Sequence, residues 1–569
     1  MTIIGRLLLT LAFAGVFSLH GAASYEVAGV VVDSQSQKPL ANTRISLAPT
    51  TARVQKLEQV TKQDGRFSFV VTLAGKYTLQ IAKPGYPAQS YRGAAFTGLS
   101  SAIAVRDDQD TSHIVFQASR GGAITGQIKD EDSEPAGNAL VTVFQSVIVG
   151  GERKIIPRGQ TRANAAGEFR LPGLLRGNYY VCAMGRPWFA DSLIQVREMQ
   201  ESQEQSFKRI VTRDDAQPAE PPQYSSDPSF RGTAFVTTFY PRAQTIEEAS
   251  MIRVDAGAEV QASITLPLTK AVTVKGTIAS SGEMSAGRAN LLKKVYDQYV
   301  SFLQDVVAKD GKFQLKNVPA GSYEVMATSD AASGASSWNV GQEVEVGTSD
   351  MEITLRPASM GAMMGHVLFE GEGPAPTASL FVVLRNDKGN SARIQVDPEG
   401  NFSLSRILPG RYEVSAGAAD YVASYFTGPT GERLPLTLEV ASGETIRGDL
   451  MLTKAVSVIE GAAEKAGMPQ VGAFVLLMPK NPSQRWAYRI DQTDSDGSYH
   501  LATIPAGDYF LIALSDGSDV VYRDAKVAAT LAKAAKPVHI EAGNHNEAGN
   551  HLEMKLEVVP IETLHLPPL

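Results

Sequence analysis

The sequence predicts an all-β protein, a tandem array of about five β-sandwich units. Three observations predict it. One skeleton recurs five times: "DGRFSFVVTLAGKYTL" from Asp64, "AGEFRLPGLLRGNYYV" from Ala166, "DGKFQLKNVPAGSYEV" from Asp310, "EGNFSLSRILPGRYEV" from Glu399 and "DGSYHLATIPAGDYFL" from Asp496. Each copy follows a glycine in an apolar strand (Gly29, Gly126, Gly276, Gly365, Gly461), its first glycine 36, 41, 35, 35 and 36 residues later. Between these markers lie short alternating runs such as "NTRISLA" and "SLFVVLR", bounded by Gly, Pro, Asp and Asn, as half-buried strands require. A fixed internal distance with variable sequence around it marks one supersecondary unit used repeatedly.

The chain opens with "MTIIGRLLLTLAFAGVFSLHGAAS", in which Arg6 precedes an apolar run from Leu7 to Leu19 and then small residues. This reads as a secretory signal peptide over 1–23, because the run is short for a bilayer span. Export to the periplasm or outside is the expectation, and no transmembrane anchor is read elsewhere. At 569 residues the chain exceeds one core and calls for several domains. Its formal charge of −7 becomes −8 without Arg6, and no basic stripe with interleaved aromatics is present, which argues against nucleic acid. Cys182, the single cysteine, excludes an intrachain disulfide and sits in the apolar run "NYYVCAM" as a small hydrophobe.

Within the skeleton, Asp-Gly supplies the positive dihedrals of a tight hairpin. The aromatics two places on (Phe67, Phe169, Phe313, Phe402, Tyr499) then start a strand and point inward. A second glycine, ten residues after the first, ends a turn and opens the next strand. Its tyrosine (Tyr77, Tyr179, Tyr323, Tyr412, Tyr509) shares a face with the apolar residue two further on and needs a partner for its hydroxyl. The units are read as 24–118, 119–269, 270–357, 358–454 and 455–569. "LTKAVTV" and "LTKAVSV" repeat at two boundaries, so linkers are short. A stiff string of five such units would extend roughly 150 Å. Two places break the frame. Residues from about 198 to 232 form a polar, proline-rich insertion. Residues 291–307, "LLKKVYDQYVSFLQDVV", carry Leu292, Val295, Tyr299, Phe302 and Val306 at helical spacing; the gap-free frame with the fourth unit favours strands there.

The glycine-bearing first strand followed by D-G-x-F-x-L and then A/P-G-x-Y-x-V resembles the carboxypeptidase regulatory-like domain. That resemblance recurs five times and implies Ig-like, transthyretin-like seven-stranded sandwiches, similar also to collagen-adhesin and starch-binding-like folds. It implies an accessory or binding module, without a cofactor. The zinc and nucleophile motifs of a catalytic partner (H-x-x-E, H-E-x-x-H, G-x-S-x-G) and a P-loop are absent from the sequence. The Lys–Asn cross-link of related adhesin domains is not expected either, since the last strands matching Lys129 and Lys275 hold no asparagine.

Other motifs read as structure. "EAGNHNEAGNH" (541–551), with His545 and His551, is a duplicated turn, and "DQTDSDG" (491–497) is the skeleton turn with extra acids. The starch-binding-like relatives bind by stacking sugar rings on aromatics, so the candidates for ligand contact are Trp188, Phe189, Trp338 and Trp486. All four lie outside the skeleton in Gly-, Ser- or Arg-flanked segments. The expected function is non-catalytic binding of polysaccharide or another cell-envelope component. The alternatives are a protein-binding adhesin or assembly scaffold using an exposed strand edge, and, less favoured, an enzyme with an inter-module site.

Overall fold

The computed structural model describes residues 24–51, 56–93, 98–187, 232–279, 287–296, 298–329, 339–356, 360–370, 380–386, 391–418, 421–517, 519–541 and 550–567. Among the described residues the fold is all-β apart from one α-helix and short 3-10 turns. In each repeat the glycine-bearing first strand runs antiparallel to the skeleton's aromatic strand and parallel to the repeat's last strand. Thus Tyr25–Asp33 lies between Arg66–Val71 and Ile114–Ala118, and Leu268–Ile278 lies between Lys312–Pro319 and Met351–Leu355. Gly122–Asp130, Gly361–Phe369 and Ser457–Lys465 repeat the arrangement. A second sheet centres on the tyrosine strand, as where Gly75–Lys83 pairs with Arg44–Pro49 on one side and Ile103–Val105 on the other.

Side chains from the two inner faces meet in apolar clusters, and five of these each hold one skeleton aromatic and one skeleton tyrosine. The turn glycines Gly65, Gly167, Gly311, Gly400 and Gly497 have φ between +68° and +89°, which is the physical reason for the recurring Asp-Gly. The first-strand glycine has a different one. In every repeat it stands directly opposite the skeleton aromatic: Gly29 to Phe67, Gly126 to Phe169, Gly276 to Phe313, Gly365 to Phe402 and Gly461 to Tyr499. A Cβ there would enter that ring or the backbone of the crossing last strand. Four of the five tyrosine hydroxyls find their partners locally. Tyr77, Tyr179, Tyr412 and Tyr509 each donate to the carbonyl four residues back, on Leu73, Leu175, Leu408 and Pro505, at 2.5 to 2.9 Å. Each tyrosine thereby pins the turn that precedes its own strand.

Residues 291–307 are strands, Gly287–Val295 and Gln298–Val307, joined as a hairpin. Leu291, Val295, Leu303 and Val307 are buried in pleat alternation, while Val306 of the helical reading is 67% exposed. The helix lies elsewhere, at Ala525–Ala534 (α1), capped by Asp524 accepting from the amides of Lys526 and Val527. It exists because Phe474–Pro479 is buried on both faces. One face joins the fifth repeat's core, and the other joins a second cluster with Val527 and Leu531 of α1 and Val520 and Tyr522 before it. The continuous run "FVLLMP" was the available sequence signal for a doubly covered strand.

The expectation of an extended string is corrected. Segments about 390 residues apart, Ser101–Arg106 and Gln492–Asp496, are in direct contact, so the fifth repeat folds back on the first. It also reaches the second, where Arg485 pairs with Glu152, the Arg523 amide donates to Gly151 O at 3.2 Å, and the Tyr522 ring covers Gly151. First and second repeats are tied by Gln35 to Ala256 O (2.6 Å) and by Asp33 to Arg120 (2.7 Å). Second and third share an apolar cluster in which the Tyr296 ring meets Phe144, Tyr180 and Phe239. Cys182 is wholly buried in that cluster, and burial pushes its thiol up to about 12. Short linkers did not stretch the array because the repeats have complementary flanks. The proline-rich insertion at 198–232 lies outside the described residues up to 231. Among the described residues no helix is long and apolar enough to cross a membrane.

Candidate functional site

The junction of the second and third repeats encloses a cleft, two adjoining hollows of about 250 and 490 Å³. Leu140 and Phe302 are among its apolar lining, Arg162 and Arg186 supply its basic part, and Gln160, Thr161, Ser301 and Gln304 are among its neutral polar groups. The position of Phe302 has a local cause. Leu291 pairs with Leu303 but Leu292 pairs with Ser301, so Phe302 is the extra residue of a β-bulge, re-aimed toward the neighbouring repeat. Its ring lies 5.9 Å from that of Tyr323 and packs on both the third core and the shared cluster. Arg162 is held by donating to Asn138 O at 3.1 Å. No carboxylate lines either hollow among the described residues. The arrangement suits an extended ligand with hydroxyl or carboxylate groups and one apolar face.

Two outer strands border the cleft. Glu152–Arg162 is the edge of the second repeat's sheet and carries Arg153, Lys154 and Pro157, the usual guards of an open edge. Gln298–Val307 is the edge of the third repeat's sheet, and from Gln298 to Gln304 it has neither charge nor proline.

The contact between first and fifth repeats is largely polar, with Val471 packing on the first core and Leu99 on the fifth repeat's second cluster. The Ala102 amide donates to Asp494 Oδ1 (2.7 Å), the Ala104 amide to Ser495 Oγ (3.0 Å) and the Ser495 amide to Ala102 O (2.9 Å). Gln492 Nε2 reaches Arg92 O at 2.6 Å, and Ser101 Oγ donates to Thr493 O at 2.7 Å. Lys76 Nζ lies 2.5 Å from Asp494 and Arg106 2.7 Å from Asp496. The acids are nearly enclosed, their side chains 8% and 5% exposed, against 37% and 53% for the bases. Burial pushes the Asp494 carboxyl up, opposed by the bond and charge of Lys76. The turn of "DQTDSDG" thus covers the outer edge of Ile103–Val105, a strand buried at all three positions. The acids read from sequence as decoration of a turn instead face another repeat, and the turn alone carries no signal of this, since Asp397 holds the place of Asp494 in the fourth repeat and Asp64 and Asp310 that of Asp496 in the first and third.

Of the sequence-nominated residues, Trp486 sits in the 3-10 turn Arg485–Ala487, half-buried against the fifth core. Its carbonyl accepts from Arg489 at 2.9 Å, a guanidinium that also serves the carbonyls of Tyr488, Ala502 and Thr503. Trp188, Phe189 and Trp338 lie outside the described residues, as do His545 and most of the EAGNH pair. His551 is paired with Glu460 at 2.9 Å, which also faces His500 at 3.3 Å. Among the described residues no group of three or more His, Cys, Asp or Glu is placed to hold a metal ion. Trp486 is thus the one nominated residue among those described, and the cleft residues Arg162, Arg186 and Phe302 were missed because a site between repeats leaves no motif within one.

Residues 26–117 match the family model of the carboxypeptidase regulatory-like domain. No curated protein matches the chain in sequence. Solved structures similar to it include the TIE protein of Bacillus anthracis, at 12% identity over 76% of this chain and 75% of that one, TM-score 0.16. Two B repeat units of the collagen-binding protein of Staphylococcus aureus match at 12% identity over 76% and 99%, TM-score 0.12. A minor pilin of Streptococcus agalactiae matches at 13% over 32% and 96%, TM-score 0.21. The fold assignment rests on the strand order above.

Proposed function

We propose that the chain is an exported, non-catalytic binding protein of five sandwich modules, bounded as 24–118, 119–269, 270–357, 358–454 and 455–569, that holds a polysaccharide or related envelope glycan. The observation that carries this reading is the cleft between the second and third repeats. It offers a half-buried aromatic, two guanidiniums and several amide and hydroxyl side chains to one ligand. Sugar polymers are bound by this combination, apolar ring faces on an aromatic and hydroxyls or uronate carboxylates on polar donors. Trp188 and Phe189 follow Arg186 by two and three positions in the sequence and extend the nomination. A glycan-array and insoluble-polysaccharide pull-down on the protein lacking 1–23 tests it. Binding lost in Phe302→Ala and Arg162→Gln, with folding kept, supports the cleft; undiminished binding in both removes it, and binding to no glycan removes the sugar reading.

A protein-binding reading is favoured by one observation, the uncharged, proline-free stretch of edge from Gln298 to Gln304. An extended peptide added there would form main-chain bonds irrespective of its glycan content. Val300→Pro would abolish such binding, whereas Arg162→Gln would not.

A further inference from the structure

We propose that the contact between the first and fifth repeats is a head-to-tail interface that also joins one copy of this chain to another. Its two halves are different surfaces. One is a strand edge with two flanking bases, the other a turn with two acids, so the contact is heterologous. Such a contact closes within a chain or links successive chains, according to which partner is nearer. Nothing in it depends on the chain between: every bond described runs between Lys76–Arg106 and Gln492–Asp496. Besides the partly buried Val471 and Leu99, which pack across it, the interface is hydrogen bonds and ion pairs, the type across which domains separate and rejoin. By contrast, the second and third repeats are joined by buried aromatics and by Leu268–Ile278, a strand running without a break from the pairing with Thr233–Phe235 into the third repeat's sheet. The first repeat's apolar edge, Ile103–Val105, is the part that must be covered. When it opens, the same turn on a second copy is the surface that fits it, with both acids against both bases. Closure in one chain is favoured at low concentration because the tethered turn is present at a high effective concentration; exchange between copies grows with protein concentration.

Two complementary variants test this on the full protein lacking 1–23. One carries Lys76→Glu and Arg106→Glu, the other Asp494→Lys and Asp496→Asn, the asparagine retaining the local bond from the Ser498 amide. Each alone places like or unmatched charges at the contact and is expected to elute as a monomer. Mixed at equal concentration, the first supplies intact acids and the second intact bases, and light scattering after size exclusion is expected to show twice the monomer mass. A mixture that stays monomeric at 200 µM overturns the proposal. Should either variant fail to fold by circular dichroism, Ala104→Cys with Ser495→Cys decides instead. Oxidised at 5 and at 200 µM, it is expected to give a disulfide-linked dimer fraction that rises with concentration, and intrachain bonding alone at both overturns the proposal.

Discussion

Replacing Gly126 by alanine is expected to destabilise the second repeat through space alone. Its backbone dihedral is ordinary, but an added Cβ would lie 2.5 Å from Ala262 O and 2.9 Å from the Phe169 ring. A carbon and a carbonyl oxygen approach to about 3.3 Å at closest, so the last strand must retreat by about 0.8 Å. That retreat breaks the 2.7 Å bond from the Ala262 amide to Thr125 O and strains the parallel pairs on either side, Gln261 with Thr125 and Ile264 with Ile128. Overpacking of a close-packed site with loss of one or two hydrogen bonds amounts to about 3–4 kcal/mol. Gly173→Ala in the same repeat is the control: it has φ +76° but nothing within 4 Å of the new methyl, for about 1–2 kcal/mol of backbone strain. Because several modules unfold together or in turn, a global midpoint is the wrong readout. Hydrogen exchange at 122–130 and 264–266, read as local opening free energy, separates the two variants. Equal protection in both would refute the close-approach explanation of the first-strand glycine, and by extension of its four counterparts.

Tyr509→Phe removes the 2.8 Å bond to Pro505 O and is expected to cost about 1 kcal/mol in local exchange around 505–511; an unchanged rate would contradict the pinning role. Burial also pushes the hydroxyls of Tyr179 and Tyr509 up to about 12, so ultraviolet titration should show tyrosines that do not ionise below about pH 11. Burial disfavours the Asp33 carboxylate, but the bonds from Ser36, Arg120 and Tyr86 outweigh it and hold its pKa well below the ordinary value. Its contribution is therefore present above the unfolded pKa of about 4 and lost as pH falls through the depressed folded value. Asp33→Asn should weaken the first repeat by about 1–3 kcal/mol at pH 7 with the gap narrowing below pH 4, and a gap that widens in acid would reverse the sign of this argument. Leu531→Ala, at a fully buried position of α1, should cost about 2–4 kcal/mol and increase dye binding to the fifth repeat; no change in either would place α1 outside the core.

What the sequence made legible was everything local to one repeat. The Asp-Gly turns, the inward aromatics and the buried tyrosines follow from spacing alone, since each is forced by backbone geometry within some sixteen residues. The strands of 291–307 were legible only by comparison with the fourth repeat, because "LLKKVYDQYVSFLQDVV" has apolar residues at both periods. Helix α1 went unread although Asp524, Val527 and Leu531 stand at N-cap and i, i+4 positions, since no other repeat has a counterpart to compare. The contacts between repeats were not legible. Arg162 and Phe302, or Lys76 and Asp494, are far apart in the chain and belong to no shared motif; they become a cleft and a closure only when module flanks are seen together.

The most direct test of the account is the small-angle scattering profile of the protein lacking 1–23. A rigid string of roughly 150 Å has a radius of gyration of about 43 Å, whereas a compact chain of this length has about 25 Å. Closure of the fifth repeat on the first and second predicts a value clearly nearer the compact figure, increasing in the Lys76→Glu, Arg106→Glu variant. A wild-type value near 43 Å, unchanged by that substitution, would contradict it.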